Sequence, residues 1–208
     1  MRIPFAKQQL VTLKESKSNT AKQIILVRHA PPLVSRKGFF NAKAAAQYIS
    51  DYDAADVAEF ILEHEAIPYQ QIKKVYCSTL NRAQLTARTI FGPDIELVTN
   101  PLFREFERRI FSLPLLRLPI KLWLLSARLL WFLGLNSRDI ETFRQARTRA
   151  REAAELLAKD ATENRTTVLV AHGLLNNFIQ RELLKMGWKR EVKGGNDFLA
   201  VHLLTLHP

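Results

Sequence analysis

Two histidines follow apolar runs of the same kind near opposite ends of the sequence. His29 ends the stretch "IILVRH", directly after Arg28, and His172 ends "TVLVAH". An imidazole can act as a nucleophile or exchange a proton near neutral pH, and a guanidinium group binds anions through several donors. One histidine in such a place is usually structural. Two in matching context, one of them beside an arginine, indicate chemistry on an anionic group.

A third segment adds an arginine at the start of a helix. In "YCSTLNRAQLTART", residues 76–89, an apolar run ends at Cys77, Ser78 is suited to cap the following helix, and Arg82 falls in or near its first turn. The free N–H groups and the positive dipole end of a helix favour an anion there. The planar donors of arginine match the geometry of a phosphate, so this segment predicts a phosphate site.

The pattern around these residues predicts how they are brought together. Apolar runs that suggest strands alternate with amphipathic patterns that suggest helices at 53–65, 80–91, 138–160 and 174–186. This alternation predicts an α/β sandwich with a largely parallel sheet. Both histidines would then emerge at the same edge of the sheet, where such folds bind ligands. The predicted strands are Ile24–Val27, Val75–Cys77, Ile95–Val98, Thr167–Ala171 and Phe198–Leu206.

The composition predicts one globular domain. The chain has 208 residues, of which 47% are hydrophobic and 25% are charged. We expect a tail or extra edge element over residues 1–23 and a single domain over 24–208, with an insert at 110–135. The single cysteine excludes an intramolecular disulfide framework and fits a reducing compartment, and no signal peptide is expected. The expected location is therefore the cytoplasm.

The net charge of +11 points to an anionic partner. Residues 101–151 contain eleven Lys/Arg and four Asp/Glu, so a net +7 falls in about a quarter of the chain. Such a charge favours phosphorylated small molecules, a membrane surface or nucleic acid. We find no zinc-ligand spacing, glycine-rich phosphate loop or aromatic RNA-binding signature. No nucleic acid and no metal are therefore expected as partners.

The three segments, in this order, resemble the histidine phosphatase superfamily, which includes the phosphoglycerate mutases. "RHA" is similar to its Arg-His-Gly motif with Ala30 in place of glycine, "STLNRAQLTA" to its Ser-x-x-x-Arg-Ala-x-x-Thr-Ala segment, and "AHG" to its second histidine motif. The resemblance extends from about Ile24 to about Trp188. It implies a three-layer α/β/α sandwich and an activity without a metal or other cofactor.

The resemblance also implies roles for the individual residues. His29 would attack phosphorus and form a phosphohistidine, while Arg28, Arg82 and His172 would surround the transferring group and stabilise its charge. The family's general acid is a glutamate, and "NPLFREFERR" offers Glu105 and Glu107. The spacing favours Glu105, although the glycine that usually follows this segment is absent. A protonated carboxyl group would need a raised pKa, which phosphate charge and burial can supply.

Other positions are less specific candidates for the substrate pocket. "DIETFRQARTRA" resembles the start of a helix that borders the family's site, with Glu141 as the candidate, although helix capping explains the same residues. Asn176 or Asn177, one helical turn after the second histidine, is a further candidate. Cys77 invites comparison with cysteine phosphatases, but four residues separate it from Arg82 where that loop has five, and we discard it as a nucleophile.

The apolar insert at 110–135 has three interpretations. Two prolines and three cations, Arg117, Lys121 and Arg128, interrupt it, so a membrane span is not expected. If the helix continues through Pro119, the cations form one narrow stripe. The insert would then cap the active site with this stripe facing an anionic substrate, lie as an interfacial helix on a membrane, or form an oligomer interface. The first interpretation is preferred.

The sequence therefore predicts a metal-independent phosphomonoester hydrolase that acts through a phosphohistidine. The apolar, basic insert favours a phosphorylated small molecule with an apolar part and leaves open a peripheral membrane contact. A mutase is disfavoured because "RHAPPLVSRKG" lacks the Glu-Ser-x-x-Asn type of continuation found in the glycolytic mutases. A protein that only binds phosphate at a membrane surface is the non-enzymatic alternative.

Overall fold

A six-stranded sheet forms the centre of the molecule. The computed structural model describes residues 21–113 and 115–207. The strands of the sheet are β1 Lys22–Arg28, β3 Lys74–Cys77, β4 Glu96–Thr99, β6 Thr166–Ala171, β7 Lys189–Val192 and β8 Val201–Leu206. Their order is β4-β3-β6-β1-β8-β7. A separate two-stranded ribbon pairs β2 Phe39–Phe40 with β5 Leu118–Pro119.

The sheet is mostly parallel, as predicted. β4, β3, β6 and β1 run parallel, and β8 and β7 complete the sheet in antiparallel pairings. β1 begins at Lys22, so residues 22–23 belong to the sheet and not to the predicted tail, and residues 1–20 lie outside the described residues. The sequence did not predict β7, because "KREV" has one apolar residue and lies at an exposed edge.

Five helices flank the sheet in the described part of the chain. Side chains alternate along β1, so that Ile24 and Leu26 enter the core cluster that includes α4 and α5, whereas Ile25 and Val27 enter the cluster that includes α2. Helices therefore cover both faces, as expected for a three-layer α/β/α sandwich. The helices are α1 Ala42–Ala54, α2 Asn81–Phe91, α3 Ile120–Phe132, α4 Phe143–Asn164 and α5 Gly173–Lys185.

The helix predicted at 53–65 is wrong. The structure has α1 just before it, where Asn41 caps the helix by accepting a hydrogen bond from the Ala44 N–H at 2.8 Å. Residues 55–66 are not helical. Their backbone bonds instead to the segment after β1, as in the 2.8 Å hydrogen bond from Ala58 N–H to the Pro31 carbonyl. Long-range backbone pairing thus overrides a local amphipathic pattern.

The insert contains a shorter helix than the sequence suggested. Pro119 is the N-cap of α3, so Arg117 precedes the helix and the predicted stripe of three cations does not form. Lys121 and Arg128 are seven residues apart and so lie on nearly the same side of the helix, but Lys121 at its start is exposed and Arg128 is buried. None of the helices within 21–113 and 115–207 is both long and apolar enough to cross a bilayer.

A third, smaller core joins α1 to α3. Ala45 and Tyr48 of α1 pack with Ile120 and Trp123 of α3. The indole N–H of Trp123 donates a 2.7 Å hydrogen bond to the Phe40 carbonyl, which ties α3 to the β2–β5 ribbon. The two helices therefore form one unit, and this unit supplies part of the wall of the site described next.

Candidate active site

The two histidines lie side by side at the carboxyl edge of the sheet. Arg28 at the end of β1 pairs with Ala171 at the end of β6, so His29 and His172 leave neighbouring parallel strands at the same level. The centroids of the two rings are 5.0 Å apart. The strand register thus brings together residues that are far apart in sequence.

The hydrogen bonds of His29 fix the proton on Nδ1 and leave the lone pair on Nε2. Nδ1 lies 2.7 Å from the Ala30 carbonyl oxygen, which can only accept, so Nδ1 carries the proton. Nε2 then holds the lone pair and accepts a 3.2 Å hydrogen bond from Nε of Arg82. Burial, reinforced by the charge of Arg82, lowers the pKa of His29 to about 3. The imidazole is therefore neutral at pH 7, which is the form a nucleophile needs.

His172 is fully buried at the N-terminus of α5. Its Nε2 lies 2.8 Å from the hydroxyl of Ser78, and its Nδ1 has no hydrogen-bond partner among the described residues. Burial, followed by the charge of His29, lowers its pKa well below the usual value. Ser78 does not cap α2 as predicted, because Leu80 is the N-cap of that helix. The hydroxyl of Ser78 instead orients the second histidine.

Arg82 lies in the first turn of α2 and is buried against His29. One nitrogen of its guanidinium, Nη1, donates to the Asp53 carboxylate at 2.8 Å and to the Tyr52 carbonyl at 3.2 Å. Its guanidinium carbon also lies 4.7 Å from the centre of the Tyr52 ring. The end of α1 therefore fixes the orientation of this cation.

Arg28 is held by the loop between β7 and β8. Its guanidinium carbon lies 4.2 Å from the centre of the Phe198 ring, and Nη1 donates to the Asn196 carbonyl. Burial lowers its pKa, and the charge of Glu105 is among the effects that oppose this. A Cβ added to Gly173 would lie 3.2 Å from Nε of Arg28. Glycine after His172 thus allows the guanidinium to lie close to the start of α5.

A cavity opens over His29 and contains both candidate acids. The Glu105 carboxylate accepts a 3.0 Å hydrogen bond from the Phe106 N–H. Glu105 is partly buried, whereas Glu107 is exposed. Two further arginines, Arg104 and Arg108, stand in the same wall. The residues that line the cavity are Arg28, His29, Tyr48, Ile49, Tyr52, Asp53, Leu80, Arg82, Arg104, Glu105, Phe106, Glu107, Arg108 and Leu124.

Lys121 and Arg128 do not belong to this lining, contrary to prediction. Lys121 is exposed on α3. The Arg128 guanidinium donates to the carbonyls of Phe106 at 2.8 Å and Glu107 at 3.2 Å. Burial lowers the pKa of Arg128 to about 10. This cation therefore binds the backbone of the cavity wall and does not face the cavity.

Asn176 and Glu141 are also placed outside the lining. The amide of Asn176 donates to the Val27 carbonyl at 3.2 Å and so faces β1. The Glu141 carboxylate pairs with Arg149 through two hydrogen bonds, one of them 3.0 Å long. Next to it, Thr142 caps α4 in a reciprocal arrangement with Gln145. Helix capping and an ion pair thus account for the segment that resembled a border of the site.

Sequence reasoning missed three residues that contact the arginines or His29. Tyr52 and Asp53 lie at the end of α1, and Asp53 is the first residue of the span wrongly assigned to another helix. Phe198 comes from a loop that was read as strand, and its ring centroid lies 5.5 Å from that of His29. The "YDA" at the end of an alanine-rich stretch, "AKAAAQYISDYDA", was the available signal for the first two.

Cys77 fits the structural role assigned to it. Its side chain is buried in the core cluster of β3. Burial raises the pKa of the Cys77 thiol to about 12, so the thiolate is scarcely populated near neutral pH. The arginine nearby in sequence therefore serves His29 and not a cysteine nucleophile.

The arrangement defines a site for an anionic group of the size of a phosphoryl. A neutral imidazole nitrogen, the buried guanidinium of Arg82, the partly buried guanidinium of Arg28 and a second histidine lie together beside carboxylates at the carboxyl edge of an α/β sheet. Within the described ranges, no three His, Cys, Asp or Glu side chains are close enough to share a metal ion. The class is that of α/β proteins with paired histidine and arginine side chains at the carboxyl edge of the sheet.

The chain belongs to the histidine phosphatase superfamily (branch 1), whose profile matches residues 24–207. No curated protein matches the sequence at a significant level. Three solved structures have the same fold. A phosphoglycerate mutase from Bacillus anthracis str. Sterne is 17% identical, with a TM-score of 0.55 over 93% of this chain and 91% of that one. A mycobacterial hydrolase is 19% identical, with a TM-score of 0.56 over 90% and 93%.

The third is a mycobacterial glucosyl-3-phosphoglycerate phosphatase, 19% identical, with a TM-score of 0.51 over 89% of this chain and 90% of that one. The superfamily thus includes phosphatases and mutases among proteins of this fold. Its members act on phosphorylated small molecules. At these identities the structural neighbours establish the fold alone, and the reaction has to be argued from the site.

Proposed function

We propose that this protein is a metal-independent phosphomonoester hydrolase that acts through a phosphohistidine on His29. The observation that carries the proposal is the state of His29. Its Nδ1–H is committed to the Ala30 carbonyl, its pKa is lowered to about 3, and its Nε2 faces Arg82 across 3.2 Å. A neutral, oriented nitrogen beside a fixed cation is what attack on a phosphoryl group requires.

In the first step, Nε2 of His29 forms a bond to phosphorus as the bond to the leaving oxygen breaks. Arg28 and Arg82 stabilise the charge on the equatorial oxygens, and their donors turn from their present partners to the phosphoryl group. Glu105 gives its proton to the leaving oxygen. Its partial burial and its influence on Arg28 favour it over the exposed Glu107.

In the second step, water replaces the nitrogen. The Glu105 carboxylate takes a proton from the water, the water oxygen bonds to phosphorus, and the bond from phosphorus to Nε2 breaks. Inorganic phosphate leaves, and Glu105 is protonated again. Atoms and charges balance without a further reactant.

His172 would act as a hydrogen-bond donor in both steps. The Ser78 hydroxyl accepts from the Leu80 N–H at 3.2 Å, which leaves its own proton for Nε2 of His172 at 2.8 Å. In that arrangement Nδ1 carries the ring proton and donates it to a phosphoryl oxygen. The lowered pKa of His172 supports a neutral donor.

The lining also supports a substrate with an apolar part. Tyr48, Tyr52, Phe106 and Leu124 contribute aromatic and aliphatic surface beside the arginines. A small phosphomonoester whose alcohol carries an apolar group would use both kinds of surface. We place the enzyme in the cytoplasm, which the buried free thiol of Cys77 supports, and a peripheral membrane contact is part of the same proposal.

The test is hydrolysis of an aryl phosphate by the wild-type protein and by His29→Ala, with His64→Ala as control. His64 is partly buried outside the cavity and binds the Ala66 N–H. His29→Ala should lose at least about a thousandfold in kcat/KM, and the control should keep wild-type activity. Vanadate should inhibit the wild type. Mass spectrometry after a basic quench should find an acid-labile phosphoryl group on the peptide that contains His29.

Equal activity of the wild type and His29→Ala would remove this residue from the mechanism. Preferential transfer to a phosphoglycerate acceptor, with little release to water, would instead identify a mutase. Binding of phosphate without turnover of any phosphomonoester would support the non-enzymatic alternative.

A further inference from the structure

The outer side of α3 exposes a row of leucines. Three of its leucines, the leucine at its C-cap and one that follows are between 48% and 73% exposed. At 100° per residue the three helical leucines and the C-cap leucine fall within about 80° of the helix circumference. Together these five residues are called the leucine face: Leu122, Leu125, Leu129, Leu133 and Leu135. A contiguous apolar surface of this kind usually marks an interaction site.

The opposite side of α3 already makes the contacts that the fold needs. Trp123 and Trp131 are fully buried, and their indole N–H groups donate to the carbonyls of Phe40 and Glu141, each at 2.7 Å. Arg128 is buried against the backbone of the cavity wall. The helix is therefore fixed from within, and its contacts with the described residues do not use the leucine face.

Cations surround this face, and acids are absent from its sequence. Residues 108–138 contain six Lys/Arg and no Asp/Glu. Arg117 and Lys121 are exposed at the start of α3. In the β2–β5 ribbon, Phe39 pairs with Pro119 and is itself 66% exposed. Lys37, two residues before Phe39, is also exposed. Apolar and cationic groups thus share one region of the surface.

The charge discriminates between the two obvious occupants. A second copy of a chain with a net charge of +11 would bring like charges together at this region, whereas an anionic bilayer would attract it. Helices with an apolar face and bordering Lys or Arg lie in the plane of the membrane interface. With 13 residues, α3 is about 20 Å long, less than the hydrocarbon core of about 30 Å.

We propose that the leucine face docks on the surface of an anionic lipid bilayer, with the leucines at the level of the acyl chains and Arg117 and Lys121 at the phosphate groups. Leu124, on the inner side of the same helix, lines the cavity over His29. Docking therefore places the helix that carries part of the cavity wall at the membrane. On the proposed function, the phosphomonoester is then an amphiphile taken from the bilayer.

Vesicle binding tests the proposal with a matched pair of variants. The full chain is sedimented with vesicles of phosphatidylcholine alone or mixed with phosphatidylglycerol. The test variant is Leu125→Glu/Leu129→Glu. The control is Ile61→Glu/Leu184→Glu, which changes the net charge equally at leucine or isoleucine side chains that are exposed in residues 55–66 and on α5.

We expect the wild type to bind the mixed vesicles and to bind the neutral ones weakly. The test variant should lose about tenfold or more in partition coefficient, and the control less than about threefold. Higher salt should weaken the binding. His29→Ala should bind as the wild type does, which separates failure of docking from failure of the proposed chemistry.

Three results would overturn the proposal. One is equal loss of binding in the test and control variants, and another is no vesicle binding by the folded wild type. The third is a stable dimer of the wild type that only the test variant dissociates, which would make a second copy the occupant. If the test variant does not fold, Arg117→Glu/Lys121→Glu replaces it, since both side chains are exposed and reversal of their charge should also cost about tenfold.

Discussion

The floor and the wall of the cavity are built in different ways. The floor consists of Arg28, His29 and Arg82, with His172 buried against His29 outside the lining; all four lie at a strand end or at the start of a helix. The wall consists of the end of α1, residues 104–108 and Leu124, which come from the segments between strands. Strand register thus positions the floor, whereas the packing of the segments between strands positions the wall.

This difference assigns the phosphoryl chemistry to the floor and the choice of substrate to the wall. A phosphoryl group is the same in every phosphomonoester, so its ligands can be placed by the most regular part of the fold. The rest of the substrate varies, and the segments that meet it are those that can change in length and sequence without disturbing the pairing of β1 with β6. Changes in the floor should therefore affect every substrate, and changes in the wall should affect substrates unequally.

The largest expected effect is in the floor. Arg82→Ala removes a buried guanidinium that touches Nε2 of His29 and should lower kcat/KM by about a thousandfold for every substrate. Arg88→Ala, an exposed residue of the same helix whose guanidinium donates to the Pro93 carbonyl, is the control and should be nearly silent. A uniform loss across several aryl and alkyl phosphates is the measurement. A loss confined to one substrate would mean that Arg82 contributes to substrate selectivity, like the residues of the wall.

The next effect distinguishes two residues of the wall. Glu105→Gln removes the proposed acid and should lower kcat by about a hundredfold for an alkyl phosphate, whose leaving oxygen needs a proton. With p-nitrophenyl phosphate, whose leaving group needs little protonation, the loss should be several times smaller. Glu107→Gln should change either rate by less than about twofold. The reverse pattern would assign the acid to Glu107.

A single methyl group tests how tightly the floor is packed. Gly173→Ala places a Cβ 3.2 Å from the guanidinium of Arg28, which must shift by a few tenths of an ångström. We expect about a tenfold lower kcat/KM, since a small displacement of a transition-state ligand is costly. The thermal midpoint should change little, because a side-chain terminus and not the backbone gives way. Full activity would mean that Arg28 tolerates the shift.

The last prediction is that the His29 ring does not titrate between pH 8 and pH 5. Because burial and Arg82 lower the pKa of His29 to about 3, its ring should stay neutral as the pH falls from 8 to 5. Its ring resonances in NMR spectra should be constant over that range, with protonation only in stronger acid. The unfolded chain binds the proton near pH 6.5, so this residue makes the fold less stable as the pH falls from about 6.5 towards 3. A midpoint near 6.5 in the folded protein would contradict the neutral nucleophile.

The sequence predicted the floor better than the wall for a physical reason. Short runs rich in β-branched residues, such as "IILV" and "TVLVA", are typical of strands inside a covered sheet, so the positions of His29 and His172 follow from a local pattern and a topology rule. Arg82 follows from the start of the next helix. These residues are found together as expected, while their catalytic roles stay predictions.

The wall could not be predicted in the same way because its contacts are long-range. Residues 55–66 look helical but form backbone bonds with residues 31–33. Arg117, Lys121 and Arg128 were expected to share a stripe, but Pro119 starts the helix after Arg117, and Arg128 is bound by carbonyls of residues 106–107. The sequence gives no sign of which carbonyl groups lack a donor. Such pairings depend on how three separate segments pack.

The burial of Arg128 has a consequence for how the protein can diverge. Its guanidinium donates to the carbonyls of Phe106 and Glu107, so it links α3 to the segment that carries Glu105, and the two form one structural unit. A related chain could exchange this unit as a whole. The outer surface and the mouth of the cavity would then change, while the residues of the floor would stay the same. New substrates and new cellular surfaces would then be acquired together.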